Sequence, residues 1–270
     1  MTLPLLIEAA ELKQQLQNPD LIIIDLSSEE NYLKGHIPGA IHLPASRLLC
    51  GQAPIPNKRP TDEQLADLCR DIGLTENSQV VAYDDQKGPW AGRLLWSLNI
   101  AGFDRCSVLN GQLNAWRNAG LPLEQQANTA TPGNYEVSID TRYVADADFI
   151  QQHLQDPQVQ IWDARSPEEY RGEKIINARK GGHIPGARLL EWTDCLISED
   201  DLRLKPAEDL LEALKQSGLN PEKLTITHCQ THRRSGLTYL VARHLGFEDI
   251  RCYDGSWFEW GNLPDTPVEK

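Results

Sequence analysis

The chain has 270 residues, 40% of them hydrophobic and 24% charged, with 19 Gly and 17 Pro. That composition leaves room for two ordinary domains and excludes a disordered, collagenous or fibrous chain. Asp and Glu number 39 against 26 Lys and Arg, for a formal charge of −13, so neither nucleic acid nor an anionic membrane is expected as a partner.

The N-terminal stretch MTLPLLIEAAELKQQL carries Glu8 and Glu11 where a secretory signal needs a basic start and an apolar core, so the expected location is the cytoplasm. The first strand-like run, residues 21–24, is far shorter than the roughly 20 apolar residues of a membrane helix. It closes at Asp25 and is followed by Tyr32 and the segment GHIPGA at 35–40. A helical pattern at 61–73 ends in Gly, a common helix stop, and the run QVVAY at 79–83 predicts the next strand. The stretch 124–134, EQQANTATPGN, suits an exposed linker.

Beyond it the pattern repeats. The run VQIW closes at Asp163, Tyr170 follows, and a second GHIPGA stands at 182–187 after an insertion. A helical pattern at 207–218 and the run LTITH at 224–228 come next. With an offset of 144, Gly92 aligns with Gly236, Gly102-Phe103 with Gly246-Phe247, Gly111 with Gly255 and Trp116 with Trp260. The chain is therefore read as a tandem repeat: one domain over 1–124, a linker over 125–142 and a second domain over 143–270. The fold class is α/β, each domain a mainly parallel sheet flanked by helices on both faces, with ligands expected at the C-terminal ends of strands.

Of six cysteines, at 50, 69, 106, 195, 229 and 252, none forms a CxxC pair, so neither a zinc ribbon nor a disulfide framework is suggested. Cys229 differs from the rest. It ends a predicted strand and opens the loop Cys229-Gln230-Thr231-His232-Arg233-Arg234-Ser235 ahead of a helical pattern from Gly236. Backbone N–H groups at a helix start, the helix dipole and two arginines all favour thiolate over thiol, which makes a nucleophile at neutral pH. His228 and His232 flank it, but too few ligands stand at zinc spacing, and no metal or other cofactor is expected.

The whole chain resembles the rhodaneses, or thiosulfate sulfurtransferases, in their tandem-domain form. Tyr32-x3-His36-Ile37-Pro38-Gly39-Ala40-x2-Leu43 is similar to the family's N-terminal signature, and Tyr253-Asp254-Gly255-Ser256-Trp257-x-Glu259-Trp260 to its C-terminal one. The loop CQTHRR is most similar to the CQTHHRS loop of bacterial members, with Arg233 in place of a second histidine. The resemblance implies a rhodanese-like fold in both halves and Cys229 as the carrier of a persulfide. Gln230, Thr231, His232, Arg233, Arg234 and Ser235 would bind substrate. The implied partners are thiosulfate as donor, and cyanide, a thiol or a sulfur-acceptor protein as acceptor.

The 144 offset sets Asp85 opposite Cys229, which implies a catalytically inactive first domain; Asp84, Asp85 and Lys87 are read as a solvated loop. The GHIPGA segments are read as turns, Arg165 as a structural ion-pair partner, and Trp257, Phe258 and Trp260 as packing. Arg179 and Lys180, on the insertion, are candidate substrate contacts. Two other activities compete: transfer from 3-mercaptopyruvate, against which the two loop arginines speak, and a cysteine phosphatase, which needs an arginine where Ser235 stands.

Overall fold

The computed structural model describes residues 2–270; residue 1, with which the expected first domain begins, lies outside the described residues. The chain forms two compact units. The first comprises the residues up to Cys50, Arg59–Asp140 and Ile197–Leu204. Its elements are β1 (Leu6–Ile7), α1 (Ala9–Gln15), β2 (Leu21–Asp25), α2 (Glu29–Lys34), β3 (Ile41–His42), α3 (Asp62–Asp71), β4 (Gln79–Tyr83), α4 (Pro89–Ile100), β5 (Cys106–Leu109) and α5 (Gln112–Asn118). The strands form one sheet in the order β1-β5-β4-β2-β3, parallel throughout. β4 is buried at every position, as a strand covered on both faces must be, which is why QVVAY does not alternate in polarity. α4 is apolar almost all round and correspondingly buried, and it carries Arg93 inside, where Nε donates to the Leu48 carbonyl at 3.1 Å.

Residues 125–140, read from the sequence as part of a linker, pack back onto this first unit. Gly133 N–H donates to Arg70 O, Tyr135 N–H to Leu74 O and Ser138 N–H to Ala101 O. Their polar side chains suit a solvated tether, but their backbone groups are engaged, and ordered backbone is the larger consideration.

The second unit comprises Gly51–Lys58, Thr141–Leu196 and Lys205–Lys270. It contains α6 (Ala147–His153), β6 (Val159–Asp163), α7 (Pro167–Tyr170), β7 (Arg188–Leu189), α8 (Ala207–Gln216), β8 (Leu224–His228), α9 (Arg234–His244), β9 (Ile250–Cys252) and α10 (Ser256–Trp260). The sheet order is β7-β6-β8-β9, again all parallel. Ile161, Ile184, Ile226, Tyr253, Trp257 and Trp260 form the centre of its core. The chain leaves β6 toward β7 and leaves β8 toward β9, in opposite directions. The C-terminal ends of β6 and β8, where Asp163 faces His228 in register, are thus the topological switch point at which such sheets open a crevice.

The two GHIPGA segments are turns. In each, a tyrosine hydroxyl holds the final alanine: Tyr32 Oη donates to Ala40 O at 2.8 Å and Tyr170 Oη to Ala187 O at 2.7 Å. The histidine of each segment stacks on that tyrosine with centroids 3.7 Å apart. Gly39 and Gly186 take φ of +80° and +76°, a region that favours glycine.

Candidate active site

Cys229 follows the last residue of β8, and the four residues after it lead into α9, whose first residue is Arg234. The short polar stretch from Gln230 to Arg233 cannot extend the apolar strand, so the chain turns here. His232 takes φ of +53° to make the turn. The N–H groups at the start of α9 have no intrahelical acceptor and point into the turn. The Cys229 thiol is buried and receives the N–H groups of Thr231 and Ser235 together with the Ser235 hydroxyl. Burial alone would raise its pKa; Arg234 and these three donors outweigh burial and hold it below the ordinary thiol range. Burial pushes Cys69 and Cys195 the other way, up to about 12.

The remaining loop residues hold the turn in shape. Gln230 Nε2 donates to the Ile176 carbonyl at 2.5 Å, away from the sulfur, and Gln230 O accepts the Phe258 N–H. His232 is buried, with Nδ1 2.7 Å from Ser235 Oγ, and so orients the hydroxyl that faces Cys229. Cys229 is braced from behind by α10: its N–H donates to Ser256 Oγ at 3.4 Å and its carbonyl accepts the Trp257 N–H at 3.0 Å. Arg233 is exposed. Of the six substrate-binding candidates, then, Thr231, Arg234 and Ser235 meet the sulfur, Gln230 and His232 shape the loop, and Arg233 closes the loop at the N-cap of α9 with its side chain exposed.

Behind the loop sits a buried charged layer. Arg165 grips the Asp163 carboxylate through Nε and Nη2, at 2.6–3.1 Å, donates to Gly182 O, and lies 4.3 Å above the Trp257 ring. Its expected structural role holds, and Trp257 packs as expected. Burial opposes ionisation of Asp163, but the His228 ring and Arg165 keep its pKa below the usual carboxylate value. His228 is held down by burial, against the pull of Asp163 at 3.6 Å. Lys180 is a structural tie, its ammonium bonded to Pro264 O, Thr266 O and Thr266 Oγ1. The Arg179 backbone N–H bonds Gly261 O and Asn262 Oδ1.

One residue with a direct hold on the loop was not singled out from the sequence. Glu169 of α7 accepts both Nη groups of Arg234, at 2.6 and 2.8 Å. Its only sequence signal is the capping pattern Ser166-x-x-Glu169 that opens α7.

The corresponding loop of the first unit corrects one reading. Asp25 pairs with Tyr83 as Asp163 pairs with His228, so the residue in the position of Cys229 is Asp84, not Asp85. The 144 offset misplaces it because α4 is one residue longer than α9. Nor is this a solvated loop. Asp84 is fully buried; Oδ1 accepts the N–H groups of Gln86 and Gly88, and Oδ2 those of Trp90 and Ala91, at 2.8–3.3 Å. A carboxylate fills this cradle where a thiol fills the other. Asp85 instead accepts Asn31 Nδ2 at 2.5 Å, and Lys87 pairs with Glu199.

Residues 8–119 and 146–263 each match the rhodanese-like domain family. The chain belongs to that family. As a rhodanese of two such domains, it is 45% identical over 268 residues to the thiosulfate sulfurtransferase of Azotobacter vinelandii, with 99% of this chain and 98% of the relative covered. It is 41% identical to that of Pseudomonas aeruginosa, with 99% and 97% covered. The crystal structure of SseA from Escherichia coli, a 3-mercaptopyruvate sulfotransferase, superposes with a TM-score of 0.84 at 26% identity, covering 94% of this chain and 99% of that one. The tandem α/β architecture read from the sequence is therefore the rhodanese fold.

Proposed function

We propose that this rhodanese is a thiosulfate sulfurtransferase with Cys229 as its sulfur carrier and a catalytically inactive first half. The Cys229 thiolate attacks the outer sulfur of thiosulfate. A new S–S bond forms as the S–S bond of thiosulfate breaks, and sulfite leaves with the electron pair. A nucleophilic acceptor, such as cyanide, a small thiol or a thiol on another protein, then attacks the outer sulfur of the persulfide and returns Cys229 as thiolate. Each half is a displacement at sulfur with no net redox change, so the chemistry calls for neither metal nor organic cofactor.

The observation that carries this reading is the Cys229 sulfur seated among the Thr231 and Ser235 N–H groups with its pKa drawn down. Donors fixed around one sulfur also stabilise the outer sulfur as it gains charge, and Arg234 and Arg233 offset the charge of the dianionic donor. Relatives named for thiosulfate transfer, at 45% and 41% identity over nearly the full chain, support the donor. In the first half, Asp84 occupies the equivalent cradle and has no sulfur to donate. We assign the cytoplasm as the working compartment, since it keeps thiols such as Cys229 reduced.

Cys229→Ser tests the assignment. It is expected to abolish thiosulfate-dependent thiocyanate formation while leaving the unfolding midpoint close to that of the parent protein. Retained turnover in the serine variant would remove Cys229 from the mechanism.

A further inference from the structure

Arg234 is not a free cation waiting for substrate. Its guanidinium forks onto Glu169, Nη1 to Oε2 at 2.6 Å and Nη2 to Oε1 at 2.8 Å, and the Glu169 side chain is 3% exposed. Such a planar two-point contact fixes the orientation of both groups, which a lysine at the same place would not do. Glu169 is itself anchored. As the third residue of α7 it donates its N–H to Ser166 Oγ, and Oε2 accepts the Ser166 N–H at 3.3 Å. One carboxylate thus closes the cap of α7 and grips the first residue of α9, 65 positions away.

We propose that Glu169 is a positioning residue that aims Arg234 at the Cys229 sulfur. The inference rests on the reading of Cys229 as sulfur carrier and adds to it the residue that sets the geometry of its cation. Arg234 has a long side chain at the edge of the site, 21% exposed, and an unpaired guanidinium there gains hydration and rotamer freedom by swinging outward. The fork prevents that and leaves the donors not taken by Glu169 to face sulfur, with which Arg234 shares a hydrogen bond.

The charged groups around this contact are Glu169 and Arg165 on the α7 side, Asp163 and His228 at the strand ends, and Glu191, whose carboxyl lies in the field of both Arg234 and Glu169. Among them Glu169 has two opposed effects on the thiol. As a nearby anion it disfavours thiolate; as the anchor of Arg234 it favours it. Positioning and bare charge therefore predict opposite signs when Glu169 is removed.

The experiment measures the rate of Cys229 alkylation by iodoacetamide against pH, followed by peptide mass on the full-length protein, for the parent, Glu169→Ala and Glu169→Asp. Positioning predicts that the midpoint rises by about one pH unit in Glu169→Ala, equivalent to about tenfold in the thiolate equilibrium. Glu169→Asp, which keeps the charge but withdraws the anchor by one methylene, should also raise it. In both variants kcat for thiosulfate should fall more than KM changes. A midpoint that falls in Glu169→Ala, or that stays at the parent value in Glu169→Asp, overturns the proposal. Alkylation requires no sulfur transfer, so a parent protein that forms no persulfide would count against the sulfurtransferase reading and leave this test of Glu169 standing.

Discussion

His228 ends β8 one residue before the candidate nucleophile, and none of its side chain is exposed. Burial lowers its pKa from an ordinary 6.5, which sets a sign for stability. Below about 6.5 the unfolded chain takes up a proton here that the native protein refuses, so stability falls as pH drops toward the lowered native value, by about 1.4 kcal/mol per pH unit for this one site. Asp163 acts in a separate window. Its native pKa is depressed below 3.8, so its contribution is intact above that value and disappears only as pH falls through the depressed one. His228→Gln should therefore flatten the fall in unfolding free energy as pH drops below 6.5, measured by urea denaturation. A slope identical to the parent's would show that His228 is not held neutral. At this scale Cys229 was legible because its signals are local: a strand end, a helix start and adjacent arginines. Glu169 was not, because its partner is 65 residues away and only the folded sheet brings α7 to α9.

The two strand-to-helix loops after β4 and β8 show what one residue of helix length does to a repeat. The glycines and tryptophans align at an offset of 144, but the strand registers align Tyr83 with His228, an offset of 145. The extra residue lies in α4, twelve residues long against eleven in α9. A gap-free alignment anchored on glycine therefore shifts the loop by one, and no composition signal corrects it, because Asp84 and Asp85 are chemically identical. The sheet register decides for Asp84, and so do its four backbone donors. Asp84→Ala would remove the buried carboxylate on which all four N–H groups converge. It should cost about 2–3 kcal/mol of unfolding free energy in urea, with sulfur transfer per folded molecule at the parent level. Loss of transfer from a folded Asp84→Ala protein would contradict an inactive role for this loop.

Over the whole molecule, the tandem repeat and its parallel sheets could be read from the spacing of motifs, because β-branched runs alternating with Gly-capped helices allow few other architectures. The division into units was less legible. Residues 51–58 belong to the second unit, where Asn57 Nδ2 donates to Asp254 O at 2.7 Å and Lys58 pairs with Glu259 at 2.8 Å. Residues 197–204 belong to the first, where the Leu204 N–H donates to Asn110 Oδ1. Both segments are short, polar and rich in turn residues, so locally they read as loops; their partners lie about 100 to 200 positions away, beyond the reach of any periodicity. The central claim concerns a single sulfur atom on a single residue of this chain, and mass spectrometry tests it most directly. Thiosulfate is predicted to add one sulfur to the intact protein, peptide mapping should place it on Cys229, and cyanide should remove it as thiocyanate. An unchanged mass, or a sulfur carried on any other cysteine, would contradict the account.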